Sequence, residues 1–315
     1  MIEELGDAVY CVELINEKMK FATSGYLILA EKKIFIETGA SPSNGMILEA
    51  FDELGVKPSE LDFVIVTHIH LDHSGGAGLL ISQCENAVLV CHRRAIAHLC
   101  DPAKLISSAE TVYREAFKSY FDPILPIKKE RIIVKGEGEE LQIGPNRKLT
   151  FFDSPGHALH HFVVYDQKSR GVFSGDAGGM FYAALFKQYG VALCLPATTP
   201  TQFDPEAMKS TLEKIMALEP LKIFYTHFGM TDQAMILLRH TLDWVDLFGV
   251  EALSFYRQHR SLEKTTLFLE ERIFGWLYSQ GVPEDFITKE VLSFDIEVNA
   301  MGVVSLCARL DKYKS

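Results

Sequence analysis

Apolar and β-branched residues gather into short runs at the start of the chain. Residues 8–14, 26–31 and 33–37 are separated by polar breaks and read as successive antiparallel strands, with Glu31-Lys32 as a tight hairpin. Over residues 43–54 the spacing changes: Met46, Ile47, Ala50, Phe51 and Leu54 share one helical face, and Gly55 closes the helix. Val64, Ile65 and Val66 then make a continuous apolar run, the pattern of a strand buried on both faces of a sheet. A glycine-rich turn, a helix over residues 77–82 and a strand over 87–91 follow, and this alternation is the α/β pattern. Residues 93–120 read as helical with a break near Asp101-Pro102, and Leu105, Ala109, Val112, Tyr113 and Ala116 give the second part an apolar stripe.

A second strand-rich stretch begins with residues 131–134, 140–143 and 148–152, whose turns carry Gly136, Gly138, Gly144 and Pro145. Apolar strands recur before Tyr165, before Gly175 and at residues 222–226. The aromatic, proline-punctuated segment 180–201 reads as one long loop, of the kind that builds a substrate wall. Asp204 as N-cap and Pro205 at the first position open a helix to about Leu218. Helices over residues 231–259, 262–280 and 284–292 complete the pattern, and residues 294–306 read as a final loop with a strand or turn. The expected division is an α/β domain over residues 1–230 and a C-terminal helical extension over 231–315.

Composition narrows the function classes. The chain has 315 residues, 48% hydrophobic and 23% charged, which is ordinary for a globular protein of one large domain plus an appendage. Its net charge of −11 disfavours a nucleic-acid partner, because phosphate backbones demand clustered Lys and Arg. The run Lys128-Lys129-Glu130-Arg131 is interrupted by an acid and reads as a solvated face. No stretch resembles a run of ~20 apolar residues, and the acidic N-terminus is unlike a secretory signal, so the expectation is a cytoplasmic protein without a membrane partner. Six scattered cysteines without Cys-x-x-Cys spacing read as buried reduced thiols.

The candidate chemistry sits where the apolar strand ends. His68, His70, Asp72 and His73 offer three imidazoles and a carboxylate within six residues, a donor mixture suited to zinc, iron or manganese rather than calcium or magnesium. His68 and His70, two apart, point to one side of an extended backbone and can share an ion. Asp72 and His73 follow where the chain turns into a helix and can serve a second.

His68-x-His70-x-Asp72-His73 after an apolar strand resembles the signature of the metallo-β-lactamase fold hydrolases. Three further elements of that pattern occur in order: Ser154-Pro155-Gly156-His157, Phe173-Ser174-Gly175-Asp176 and Tyr225-Thr226-His227-Phe228-Gly229. The resemblance covers residues from about 8 to 230 and implies an αββα sandwich. It also implies two divalent ions, zinc first and iron or manganese otherwise. His68, His70 and His157 would hold one, Asp72, His73 and His227 the other, and Asp176 would lie between. A shared water of lowered pKa would then supply hydroxide as nucleophile, and Asp72 would be the catalytic proton shuttle.

Relatives carry an acid, usually Asp, where Glu37 ends the third strand, which implies a carboxylate that holds the metal loop by hydrogen bonds. Tyr182 is a candidate substrate hydrogen-bond donor, and His160 or His161 a candidate substrate or ligand-supporting group, with alternation along a strand allowing only one of them to face the site. His70 stands where flavodiiron oxygen reductases carry Glu. The favoured function is hydrolysis of a small ester, lactone or thioester, resembling the lactonase and glyoxalase II branches. An iron-dependent persulfide dioxygenase and a non-enzymatic, metal-stabilised interaction module are the alternatives. The partner expected is a small-molecule substrate; the apolar stripes of the C-terminal helices either cap the site or pack against a second copy in a homodimer.

Overall fold

A computed structural model describes residues 1–15, 22–198, 200–227, 229–286 and 289–312. They divide into two compact units. The first holds Met1–Asp153, His160–Gly175 and Leu221–Thr231; the second holds Ser154–Leu159, Asp176–Pro220 and Asp232–Ser315. The C-terminal helices thus share their unit with two segments from within residues 1–230.

Two sheets build the first unit. One has the order β1 (Ile2–Glu4), β2 (Val9–Ile15), β3 (Ala22–Leu29), β4 (Lys33–Ile36), β5 (Leu61–Ile65), β6 (Val88–His92) and β7 (Ile132–Lys135). The first three pairings are antiparallel and the last three parallel. The second sheet is made of β8 (Glu140–Gly144), β9 (Arg147–Asp153), β10 (Phe162–Asp166), β11 (Gly171–Gly175), β14 (Lys222–Tyr225) and β15 (Gly229–Thr231), with β11 and β14 parallel.

Side chains alternate along β5 as its sequence requires. Ile65 points between the sheets, where it joins Tyr26, Ile36 and Val90 from its own sheet and Phe151, Phe162, Phe173 and Phe224 from the other. Val64 and Val66 join the opposite cluster, against Ile47 and Phe51 of α1 (Asn44–Glu53) and Leu80 and Ile81 of α3 (Ala77–Gln83). Full burial of each such side chain contributes about 1.5–3 kcal/mol, so both faces hold the strand whose end carries the histidines. Arg131 is not on a solvated face: its guanidinium donates to the carbonyls of Ile81 at 3.2 Å, Cys84 at 2.7 Å and Ala87 at 3.1 Å, tying the α3–β6 turn to β7. All six cysteines are free, and five are buried. Burial pushes the Cys11 and Cys84 thiols up to about 11 and the Cys91 thiol to about 12, so they stay protonated and unreactive at neutral pH.

The helical region of residues 93–120 is broken more often than expected, into α4 (Ile96–Cys100), α5 (Ala103–Tyr113), a 3-10 turn (Arg114–Ala116) and α6 (Phe117–Phe121). In the second unit the expected long loop carries structure of its own: β12 (Met180–Phe181) pairs with β13 (Cys194–Leu195) around α7 (Ala183–Tyr189). Asp204 caps α8 (Pro205–Ala217) by accepting from Ala207 N–H at 3.0 Å. The helix expected over residues 231–259 is α9 (Ala234–Asp246), a π-helical segment (Leu247–Ala252) and α10 (Leu253–His259); α11 (Leu262–Ser279) follows.

The tail corrects the sequence reading most sharply. Residues 294–306 form neither loop nor strand but lie inside α12 (Lys289–Lys312), and residues 287–288 of the expected 284–292 helix lie outside the described residues. By length and composition α12 is apolar enough to cross a membrane; half of its most apolar window is buried in the protein instead, with Asp295 and Asn299 among the buried residues. The chain has the αββα class with a C-terminal helical extension.

Candidate metal centre

In the first unit the site grows from three strand ends and one carboxylate. β5 runs out at Thr67-His68, β4 at Glu37 and β14 at Thr226-His227. Past β5 the backbone of His70 is extended (φ −61°, ψ 145°) and caps the short α2 (Leu71–Ser74), which carries Asp72 and His73. The loop is fastened to the end of β4, because Thr38 N–H donates to the His73 carbonyl at 2.9 Å and its hydroxyl does so at 3.0 Å.

Glu37 gathers these ends. Its side chain is 1% exposed and accepts from Thr67 N–H at 2.7 Å, the Thr67 hydroxyl at 3.1 Å, the Thr226 hydroxyl at 2.8 Å and His73 Nδ1–H. With Nδ1 of His73 held by a carboxylate, Nε2 is the nitrogen left to coordinate. Nδ1 of His68 lies 3.0 Å from the Thr67 hydroxyl, so a chain of hydrogen bonds from Glu37 fixes that ring as well. Glu37, at φ +63°, thus makes the hydrogen bonds expected of the carboxylate at its position, reaching Thr67, His73 and Thr226 on three elements.

Two groupings result. His68 Nε2 and His70 Nδ1 converge to 2.9 Å, a pair able to grip one ion. Asp72 Oδ2 lies 3.6 Å from His73 Nε2 and 3.5 Å from His227 Nε2, so these three offer ligand atoms within 4.8 Å of one another. Two nitrogens and an oxygen at that spacing, two of the side chains buried and one with its far nitrogen anchored, fit a borderline dication such as zinc. His227→Ala should therefore selectively weaken one ion, by about 10–100-fold if ligand loss costs at least as much as loss of a supporting partner. A metal titration with two unchanged affinities would remove His227 from the site.

Close approach at Gly175 keeps the region tight. Its φ is +48°, and a Cβ there would stand 2.4 Å from the Thr67 hydroxyl and 2.6 Å from His161 Nε2. His161 and His160 precede β10 rather than lying in it, so they are not forced to opposite faces: the His161 ring stacks on His68 at 4.8 Å, and the His160 ring lies 5.7 Å from His70. The end of α5 also approaches α2. Tyr113 packs in one cluster with Leu71, and its phenol is pushed up by burial and then by the Asp72 charge.

In the second unit His157 and Asp176 form a pair, His157 Nε2 lying 3.4 Å from Asp176 Oδ2. His157 Nδ1–H donates to the Ala197 carbonyl at 2.8 Å, which again turns Nε2 into the nitrogen that could take a metal. Tyr182 is 1% exposed, and its hydroxyl donates to Asp295 at 2.7 Å. Thr67, Thr226 and Asn299 escaped the sequence reading. Thr67 and Thr226 carried a signal, since each stands directly before a candidate ligand; Asn299 carried none.

Residues 20–227 match the model of the metallo-beta-lactamase superfamily, and the chain belongs to that superfamily. It is similar to the metallo-beta-lactamase fold-containing protein ST1585 of Sulfurisphaera tokodaii, with 26% identity over 208 residues, 65% of this chain and 72% of the relative. The solved structure of ST1585 superposes with a TM-score of 0.66 at 23% identity, covering 94% of this chain and 98% of that one. The probable metallo-hydrolase MJ0888 of Methanocaldococcus jannaschii is 28% identical over 156 residues, 50% of this chain and 67% of the relative. The putative diflavin flavoprotein A 1 of Nostoc sp. is 27% identical over 160 residues, 50% of this chain and 24% of that protein.

Proposed function

We propose that the protein is a metal-dependent hydrolase acting on a small ester, lactone or thioester, and that the two sets of ligands complete one binuclear centre. His68, His70 and His157 would hold one ion, Asp72, His73 and His227 the other, and Asp176 would serve both. The observation that carries this reading is the Asp72, His73 and His227 grouping with Glu37 bound behind His73. Superfamily membership and the name of the metallo-hydrolase relative support it.

Two zinc ions, when bound, lower the pKa of a shared water from ~15.7 toward neutrality and polarise a substrate carbonyl. The chain's own residues do the rest. Glu37 keeps His73 in one tautomer. Asp72, 32% exposed where the histidines around it are buried, has room to take the proton of the attacking water and pass it to the leaving oxygen or sulfur. His160, beside His70, is the substrate-side group on this reading. The acidic chain works in the cytoplasm on a small molecule, with no polyanion to bind.

Metal analysis with a thioester, lactone and phosphodiester panel tests the assignment. The expected result is turnover of an ester, lactone or thioester that chelation abolishes and zinc restores. Redox-active iron with oxygen uptake would favour the persulfide dioxygenase. Two bound ions with no turnover would favour a metal-stabilised interaction module.

A further inference from the structure

We propose that α12 positions the metal centre: Asn299 and its neighbours hold the segment that orients His157, and Asp295 holds the segment that follows Asp176. The helix lies wholly beyond residues 20–227, the part matched by the family model.

The contacts form a continuous chain. The carbonyl that fixes His157 belongs to Ala197. The next residue, Thr198, is held by Asn299 of α12 through both backbone and side chain: Thr198 N–H donates to Asn299 Oδ1 at 2.7 Å, and its hydroxyl donates to the Asn299 carbonyl at 2.9 Å. One turn on, Gly302 is the only kind of residue that fits, since a Cβ there would sit 1.4 Å from the Thr198 carbonyl oxygen. Further along, the Ser305 hydroxyl accepts from Thr201 N–H at 3.0 Å, and Arg309 donates to the Thr201 carbonyl at 2.7 Å and to that of Phe203. Asp204 N–H then donates to the carbonyl of Gly156, the residue before His157, at 2.8 Å. Thr198, Thr201 and Phe203 are thus held along α12, while their neighbours Ala197 and Asp204 hold His157 and Gly156.

A second strut starts one turn earlier. Asp295 accepts from the Tyr182 hydroxyl at 2.7 Å, and Tyr182 follows β12, which leaves the turn opened by Asp176. In the same turn the Gly178 carbonyl accepts from the Thr241 hydroxyl of α9 at 3.3 Å. Asp295, Asn299 and Gly302 fall at i, i+4 and i+7, one face of the helix, and all three are buried. Asn299 is a positioning residue: the proposal rests on His157 being a ligand, as read above, and assigns no contact with substrate.

The test is metal affinity, measured on the full chain by competition with a chelator and by the visible spectrum of the cobalt(II) form. Wild-type protein binding two equivalents checks the site reading itself. Asn299→Ala should weaken one equivalent by up to about 10-fold, the low end of the effect of losing a direct partner behind a ligand, and shift the cobalt bands, while the other affinity stays near wild type. Asn299→Asp, which keeps an acceptor for Thr198 N–H, should restore most of the loss. Arg309→Met, at the exposed end of the strut, should fold even if Asn299→Ala does not and should weaken the same equivalent less. Wild-type affinities and spectra in whichever of Asn299→Ala and Arg309→Met folds would overturn the proposal, as would equal loss of both equivalents with no rescue by Asn299→Asp.

Discussion

Asp176→Ala is expected to empty both metal positions and to lower kcat/KM by about 10³-fold, the equivalent of the several kcal/mol that metal polarisation supplies. The loss of both ions, rather than one, would follow from the charge that a bridging carboxylate offsets. Unit charges 4 Å apart interact by about 4 kcal/mol at an effective dielectric of 20, so two dications repel by on the order of 16 kcal/mol. A terminal ligand touches one ion and its loss weakens one; a carboxylate between two is attracted to both. Asp176 is 4% exposed and close to His157, in a place where water cannot take over its charge freely. Elemental analysis and steady-state kinetics check the outcome, and retention of two equivalents per chain would count against bridging.

Glu37 carries the second large effect. Glu37→Leu would strip the acceptor from Thr67 N–H, the Thr226 hydroxyl and His73 Nδ1–H together. At roughly 1–3 kcal/mol for each buried donor left unsatisfied, the loss is comparable with the whole 5–15 kcal/mol stability of a typical domain, so this variant should not fold. Glu37→Gln separates orientation from folding. It keeps the shape but has one acceptor oxygen, and its amide N–H₂ opposes the donors already there. The expected result is a folded protein of lowered Tm that binds the His73-held ion about 10–100-fold more weakly. A thermal melt and metal titration indistinguishable from wild type would show that the carboxylate does not orient the site.

Much of this arrangement was legible in the sequence, for physical reasons that differ from element to element. Val64 to Val66 announced a doubly buried strand because a strand covered on both faces has no polar side to show, and α1 showed a clean stripe because one of its faces meets the sheet. The candidate ligands stood out because a metal pattern tolerates few residue types, and the structure brings Asp72, His73 and His227 within 4.8 Å of one another. α12 was not, and its buried face explains why: Asp295, Asn299 and Gly302 stand where an apolar stripe would be expected, since that face serves polar clamps and a close backbone approach rather than hydrophobic packing alone. Segment 180–201 read as a loop because the β12 and β13 pairing is two residues long, too short for alternation to register. His160 and His161 were misplaced by one strand boundary, since they lie just before β10, where side-chain alternation does not hold. Which residue of the chain partners Glu37 was out of reach of any local pattern, because Thr226 is 189 positions away.

Anomalous scattering at the zinc, iron and manganese edges, recorded on crystals of the metal-loaded protein, tests the binuclear claim most directly. Two peaks about 3.5–4 Å apart are expected, one against His68, His70 and His157, the other against Asp72, His73 and His227, with Asp176 touching both. A single peak, or two peaks with His157, Asp176 or His227 beyond coordinating distance, would contradict it.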